Sequence, residues 1–492
     1  MKAAPQKDEM ISKILKYGLW TLAPVLLLCV ALVLIAMFVV NPDAYRSQAS
    51  RWVEGATGRT LTILGNARLA WFPVVAIELG RTTLSDWHSS RTFASARRLR
   101  LALSWPALLH GRIAIDRIKV SGLRLTLVRY ANGQTNYADL LTRRPGGSPS
   151  VHIGGVAIAD GEISFDDRAS GRRFAIDHLR LDTGPLASGV PSPVRLAFRY
   201  LTAEPAASPQ VDAGGTLRFD GARKRYVLSA LSLRAHGAFP PATAWRLAAR
   251  GNFVWDGGRH RLKADALHAS LDGSRALARA SAQLTASRLE WGAKGGEASA
   301  IVVHASGAAP AGQGTAVLQL PDLRVQGRRA SAAAMTLDMA AKDASGGLKG
   351  RMTSGVGVDW GRAQLTLSHL VSEWALTSPL FKTGRLAAEV AGQAQADWAR
   401  ERASAALTGR VGESRAVVTA AAQGFPTPAY TLDAKIDRLD VDRYLAPSHK
   451  PFDFARIQRL PFTGTIRIGM LRVGTTRARD VRIVVTRTPQ SR

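Results

Sequence analysis

The sequence predicts a mainly β protein: an N-terminal transmembrane helix, then an elongated, curved antiparallel β-sheet with a few short helices. Three observations carry this expectation. A charge-free apolar run of 24 residues sits near the start, period-two hydrophobic alternation takes over after it, and long helical periodicity is nearly absent.

The apolar run, YGLWTLAPVLLLCVALVLIAMFVV at 17–40, is long enough to span a bilayer core, which needs about 20 such residues. It ends in FVVNPD without a small-residue cleavage pattern, so it reads as an uncleaved signal anchor. Lys2, Lys7, Lys13 and Lys16 precede it, which places residues 1–16 in the cytoplasm by the positive-inside bias. No second run of this length follows, so the rest of the chain lies on one side. In a Gram-negative cell that side is the periplasm. Cys29 is the single cysteine and occupies an inert apolar position inside the span.

After the span, DAYRSQASRWVE (43–54) reads as a short amphipathic helix stopped by Gly55 and Gly58. Then the period becomes two. RLRLALSW places Leu99, Leu101 and Leu103 on one face, and RIAIDRIKVSGLRLTLVRY continues with Ile113, Ile115, Ile118, Val120, Leu123, Leu125 and Leu127. The alternation returns in EISF, RRFAIDHLRLD, VRLAFRY, TLRFD, YVLSALSLRA and TLSHLV, punctuated by Gly, Asp, Ser and Pro. This is the pattern of half-buried antiparallel strands joined by hairpins. Short helices are expected at WPALLHG (105–111), NYADLLTRR (136–144) and DFARIQRL (453–460), with a linker at RRPGGSPS (143–150). The Ala- and Gly-rich middle, 251–423, alternates weakly and leaves register open. So few helices cannot cover such a sheet. Either two sheets cover each other, or one curved sheet keeps an apolar face for something else.

Charge and motifs exclude several functions. The net charge is +29, but the surplus is Arg scattered in pairs such as Arg97-Arg98 and Arg328-Arg329, with no nucleic-acid fold signature. Nucleic acid is therefore not an expected partner. A solvated Arg-rich surface and attraction to anionic lipid headgroups or lipopolysaccharide both remain open. DGEISFDD (160–167) fails as a calcium loop, because Val156 and Ile158 stand where carboxylates belong; it reads as a turn followed by a strand. The ten histidines form no ligand spacing, and no phosphate-binding or nucleophile-elbow motif occurs. No enzyme, cofactor or metal site is expected.

The motifs in order resemble one family. SRWVEGATGRTLTILGNARLAWFPVVAIELG contains Thr57-Gly58-Arg59 and the Phe72-Pro73 turn. The next block runs through the leucine strand, a P-x-L-L-x-G turn, two isoleucine strands and the Gly133, Asn136, Tyr137 cluster. These stretches, with IDRLDVDRYL (436–445), are similar to the AsmA family. The resemblance implies a single-pass inner-membrane protein with a periplasmic β-rich body, acting in outer-membrane biogenesis. It further implies kinship with chorein-type bridge proteins, whose taco-shaped sheet holds phospholipid acyl chains in an apolar groove. The groove candidates are Leu99, Leu101, Leu103, Ile113, Ile115, Leu123, Leu125 and Leu127.

The expected layout is 1–16 cytoplasmic, 17–40 signal anchor, 41–200 N-terminal β domain, 201–424 Ala/Gly-rich β region and 425–492 C-terminal β segment. Two function classes follow: a lipid conduit between membranes, or an interaction protein influencing targeting and assembly of outer-membrane proteins without carrying lipid. The chain stops at RIVVTRTPQSR inside a strand pattern, shorter than the family's usual extent. The end reads as a shortened variant, a truncated reading frame or half of a split pair: either an outer-membrane or periplasmic protein partner caps or extends this C-terminal edge, or the chain is a non-functional truncation.

Overall fold

The computed structural model describes residues 50–485, apart from 52, 56, 66, 71–73, 88, 105–114, 139–153, 204–205, 240–241, 426–427 and 445–461. The expected anchor at 17–40, Cys29, Phe72-Pro73, Ile113, the linker at 143–150, the chain end after Val485, and the helices at 105–111 and 453–460 lie outside the described residues. So does most of the helix expected at 136–144. Among the described residues no helix is long and apolar enough to cross a membrane. The chain is mainly β and divides into two compact units, Met1–Ala187 and Ser188–Arg492.

In the first unit, the helix expected at 43–54, with Gly55 and Gly58 stopping it, reaches 57. It ends at Gly58, whose φ of 69° and N–H bond to the Glu54 carbonyl (2.7 Å) make the left-handed cap that only glycine adopts cheaply. Ten strands follow: β1 (Leu61–Leu64), β2 (Arg68–Ala70), β3 (Ala76–Leu79), β4 (Arg81–Ser85), β5 (Thr92–Ala96), β6 (Arg98–Leu103), β7 (Ile115–Ser121), β8 (Arg124–Arg129), β9 (Val156–Asp167) and β10 (Arg172–Thr183). β9 and β10 form a long hairpin that carries two branches. The first half of β9 pairs with β7, which leads to β6, β3 and β2; its second half pairs with β8, which leads to β5, β4 and β1. Val75, Ala76, Phe93, Ala96, Leu103 and Val128 are buried in this unit.

The second unit is a meander of long strands. It opens with β11 (Ser192–Ala203), β12 (Ala206–Ala207), β13 (Gln210–Asp220), β14 (Arg225–Phe239), β15 (Ala242–Asp256) and β16 (Arg261–Arg275). It continues through β17 (Ala278–Gly292), β18 (Gly295–Ala309), β19 (Gly312–Gln326), β20 (Arg329–Lys342), β21 (Gly347–Asp359) and β22 (Gln364–Thr377). β23 (Arg385–Asp397), β24 (Arg402–Val411), β25 (Ser414–Gln423), β26 (Ala429–Asp440), β27 (Phe462–Val473) and β28 (Thr476–Val485) complete it, with a helical turn at Val441–Tyr444. Strands of 15 residues are about 50 Å long, and from β11 to β28 the sheet contour is about 80 Å.

Two expectations need correction. The sheet is not purely antiparallel: β7–β9, β8–β9 and β26–β27 are parallel. DGEISFDD is not a turn before a strand; it lies inside β9, where Asp160 at φ 55° forms a bulge.

Bulges recur at one height in the second unit. Ala230, Ala266, Ala300 and His369, at φ between 51° and 53°, each sit five residues after the first residue of β14, β16, β18 and β22; β20 slips register between Ala332 and Met335. A bulge adds one residue, bends its strand and keeps flanking apolar residues on one face. That explains three-residue steps such as Leu228 to Leu231, which break the alternation in sequence but not in space. Because a β-branched residue resists positive φ, Ala266→Val should destabilise the unit by about 1–2 kcal/mol. Ala248→Val, on extended backbone, should be near neutral; equal shifts in denaturant midpoint would contradict this.

Candidate functional site: an uncovered apolar sheet face

Following the register across the second unit traces one line of side chains over seventeen strands. It runs Leu196, Ala213, Leu233, Ala249, Ala269, Leu284, Val303, Leu318 and Leu337 through β20. It then continues through Met352, Ser372, Val390, Gly409, Ala416, Ile436, Ile468 and Val481. No charge interrupts it. Its one polar member, Ser372, is buried and donates its hydroxyl to the Val390 carbonyl at 3.4 Å.

One residue away along each strand the character inverts. The neighbouring line contains Arg234, Gln283, His304, Asp338, Arg351, Glu373, Glu389, Arg410 and Arg415 on the opposite face. Arg351 pairs with Asp338 across the β20–β21 ladder at 2.6 Å, and this pairing holds the arginine more firmly protonated than usual.

Apart from Ser372 and Ile468, the members of the apolar line are only half-buried. A second sheet at the usual ~10 Å spacing would bury them fully. Among the described residues, the substantial contacts in this unit run between sheet neighbours, with β12 and the helical turn as the exceptions. Among the described residues the sheet is open and nothing covers its apolar face.

The first unit places Leu99, Leu101, Leu103, Ile115, Leu125 and Leu127 on one face of its sheet. Leu99, Leu101 and Leu103 of β6 stand opposite Val120, Ile118 and Ile115 of β7, and a line runs Leu79–Leu99–Val120–Ile158–Leu181. On the other branch, Leu125 joins Leu61–Leu84–Ala94–Leu125–Ile163–Ile176, and Leu127 leads to Phe165, which stacks on Phe174 at 4.8 Å. Leu123 sits in the turn before β8. Leu103 is buried in the unit's core, whereas Leu99, Leu101, Ile115, Leu123, Leu125 and Leu127 are half-buried. On the reverse face arginines bridge strands: Arg100 to Glu78 (3.4 Å), Arg124 to Glu162 (3.3 Å) and Arg117 to Asp182. Such exposed pairs contribute at most about 1 kcal/mol each.

Among the described residues no group of three or more His, Cys, Asp or Glu could hold a metal ion. Carboxylates instead build turns. At one set of strand ends, Asp220, Asp256, Asp359 and Asp397 each accept the backbone N–H three residues on, at 2.9–3.0 Å. A side-chain hydrogen bond from Arg329 holds the Asp359 carboxyl below the ordinary aspartate value. For Asp397 the Arg400 backbone N–H does so, helped by the Arg400 and Gln364 side chains.

A protein-family model, that of the AsmA family, matches residues 11–289. The chain belongs to the AsmA family. No curated protein and no solved structure matches it. The AsmA match covers the described part of the first unit and continues into β17.

Two separate sequence motifs of this AsmA-family chain meet in one knot. Arg59, from Thr57-Gly58-Arg59, is fully buried with its guanidinium 4.0 Å from the centre of the Phe93 ring. It donates to the carbonyls of Asn136 (2.7 Å) and Ser85 (3.4 Å) and faces Asp86 at 3.7 Å. Asn136 in turn accepts from the Val128 N–H and donates to the Thr126 carbonyl, closing the end of β8. The later IDRLDVDRYL stretch ends β26 in the helical turn, where the Tyr444 hydroxyl accepts the Glu413 N–H and lies 2.9 Å from the Ser414 hydroxyl. Sequence reasoning found the first-unit candidates through Leu and Ile alternation. It missed the larger face of the second unit, because Ala and Gly occupy many of its apolar positions; the bulge-corrected alternation was the signal available.

Proposed function

We propose that this protein is anchored in the bacterial inner membrane by residues 17–40, with its N-terminus cytoplasmic and its body in the periplasm. There it holds phospholipid acyl chains on its apolar sheet face, carrying them between membranes during outer-membrane biogenesis. The observation that supports this most is the seventeen-strand line without a charge, left half-buried and uncovered. An acyl chain of about 16 carbons in water costs about 12 kcal/mol at 0.8 kcal/mol per CH₂. A continuous apolar face removes much of that cost along its whole length.

AsmA-family membership and the open sheet are consistent with this reading. A protein partner adding a strand to the outer edge of β28 is a compatible part of it, since among the described strands β28 pairs with β27 alone. Mass spectrometry of organic extracts from the purified full-length protein should find phospholipid in stoichiometric amount. Lipid-free protein of native fold would contradict the proposal. For the topology, alkaline phosphatase fused after Asp480 should be active; activity only from a cytoplasmic reporter there would reverse it.

A further inference from the structure

The two long rims of the second unit's sheet differ. At one set of strand ends, each of six successive turns presents an exposed cation: Lys224, Arg259, Lys294, Arg328, Arg362 and Arg400. Lys224, Lys294, Arg328 and Arg362 have no carboxylate partner among the described residues. The turns at the opposite ends that join the same long strands carry fewer: FPPA (239–242) and APAG (309–312) have none, while Arg275, Lys342, Lys382 and Arg385 lie at the other three, 275–278, 342–347 and 377–385.

The basic rim is also aromatic. Tyr226, Trp255, Trp291, Trp360, Trp398 and Tyr430, each 39–49% exposed, all lie there, and they are the exposed aromatic side chains described in this unit. Tyr226, Trp255, Trp291 and Tyr430 belong to the apolar face, at the last position before the charged turns. Trp291 lies flat over its cross-strand partner Gly296, where an added Cβ would stand 2.4 Å from the indole. Backbone bonds link several of these turns to their neighbours. Gly257 N–H donates to the Lys224 carbonyl (2.8 Å), Trp360 N–H to Arg328 (3.1 Å), and Trp398 N–H to Ala363 (2.8 Å). The cations are therefore carried on a fixed ladder with a rung every ~9.5 Å, two strand spacings.

Across the sheet from this rim the order is charge, aromatic ring, apolar face. That order matches the order of groups in an amphiphile with an anionic head, and rings with one apolar and one wet side suit the junction. The line of bulges crosses five residues in from the rim, about 17 Å. One leaflet of a ~30 Å bilayer core is about 15 Å deep, so an acyl chain headed at this rim reaches that line.

We infer that lipids on this face lie in one orientation, with the phosphates of anionic glycerophospholipids at the rim of Lys224, Lys294, Arg328 and Arg362 and their acyl chains running toward the bulge line. This rests on the proposed function, because it requires acyl chains on the face. The chemistry is a phosphodiester with net negative charge, held by cations that have no carboxylate partner among the described residues.

The test uses the full-length protein reconstituted with vesicles of equimolar phosphatidylethanolamine and phosphatidylglycerol. Phosphatidylglycerol probes carry a diazirine either on the headgroup or at the acyl-chain end. The headgroup probe should label peptides of the basic rim, and the acyl probe should label the apolar face. K224Q/K294Q/R328Q/R362Q should reduce headgroup labelling at least about fivefold. R275Q/K342Q/K382Q/R385Q, at the opposite rim, should leave it unchanged. Acyl labelling with headgroup labelling spread over both rims, or equal losses in the two variants, would overturn the oriented arrangement and leave the proposed function standing. Headgroup labelling of the rim without acyl labelling of the face would make the rim a membrane-docking surface and overturn both.

Discussion

Arg59→Ala should cost the first unit about 3–5 kcal/mol, because it removes one member of a buried polar cluster and leaves the others unsatisfied. Arg59 is the largest fully buried side chain described, and it serves the Asn136 and Ser85 carbonyls, the Asp86 carboxylate and the Phe93 ring together. Arg59→Lys should recover little of this loss, since an ammonium cannot reproduce the planar fork that reaches several acceptors at once. Urea unfolding of the full-length protein, followed by protease cleavage within residues 59–136, reads the effect. A shift below about 1 kcal/mol would mean the knot is held elsewhere.

The second large effect concerns binding. Leu284→Glu with Leu337→Glu places two carboxylates on the apolar line of β17 and β20. Against acyl chains an ionised carboxylate is costly by several kcal/mol, so co-purified phospholipid should fall at least about tenfold. The fold should survive, because water reaches these half-buried positions when lipid is absent. A packed core between two sheets would behave in the opposite way, with unfolding rather than lipid loss. Lys residues at Gln283 and Thr336, on the polar face, provide the matching control.

Much of the fold was legible in the sequence. In the first unit Leu and Ile alternate with polar residues, so the strands around Leu99 to Leu127 announced themselves, and Leu99, Leu101, Leu103, Ile115, Leu125 and Leu127 share one face. Ile113 lies outside the described residues. The second unit was harder for two physical reasons. Bulges at Ala230, Ala266, Ala300 and His369 shift the alternation by one residue in mid-strand, so a period-two reading loses phase. Ala and Gly also carry too little hydrophobic contrast to mark a face alone; Ala249, Ala269 and Gly409 join the apolar line only once the register places them beside Leu233, Leu284 and Val390. The parallel pairings of β9 and β27 were illegible because they depend on long-range contacts. The Arg59–Asn136 knot joins residues 77 positions apart, and no local pattern forecasts such a contact.

On the proposed function, this apolar face contacts lipid acyl chains and the reverse face does not. Leu318 and Gln319 are adjacent on β19 and point to opposite faces. A photo-crosslinking amino acid at each position, activated in cells expressing the full-length protein, tests the claim in one comparison. Phospholipid adducts are expected at 318 and none above background at 319, with the same contrast at 101 and 100 in the first unit. Equal labelling at 318 and 319, or protein adducts in place of lipid at 318, would contradict it.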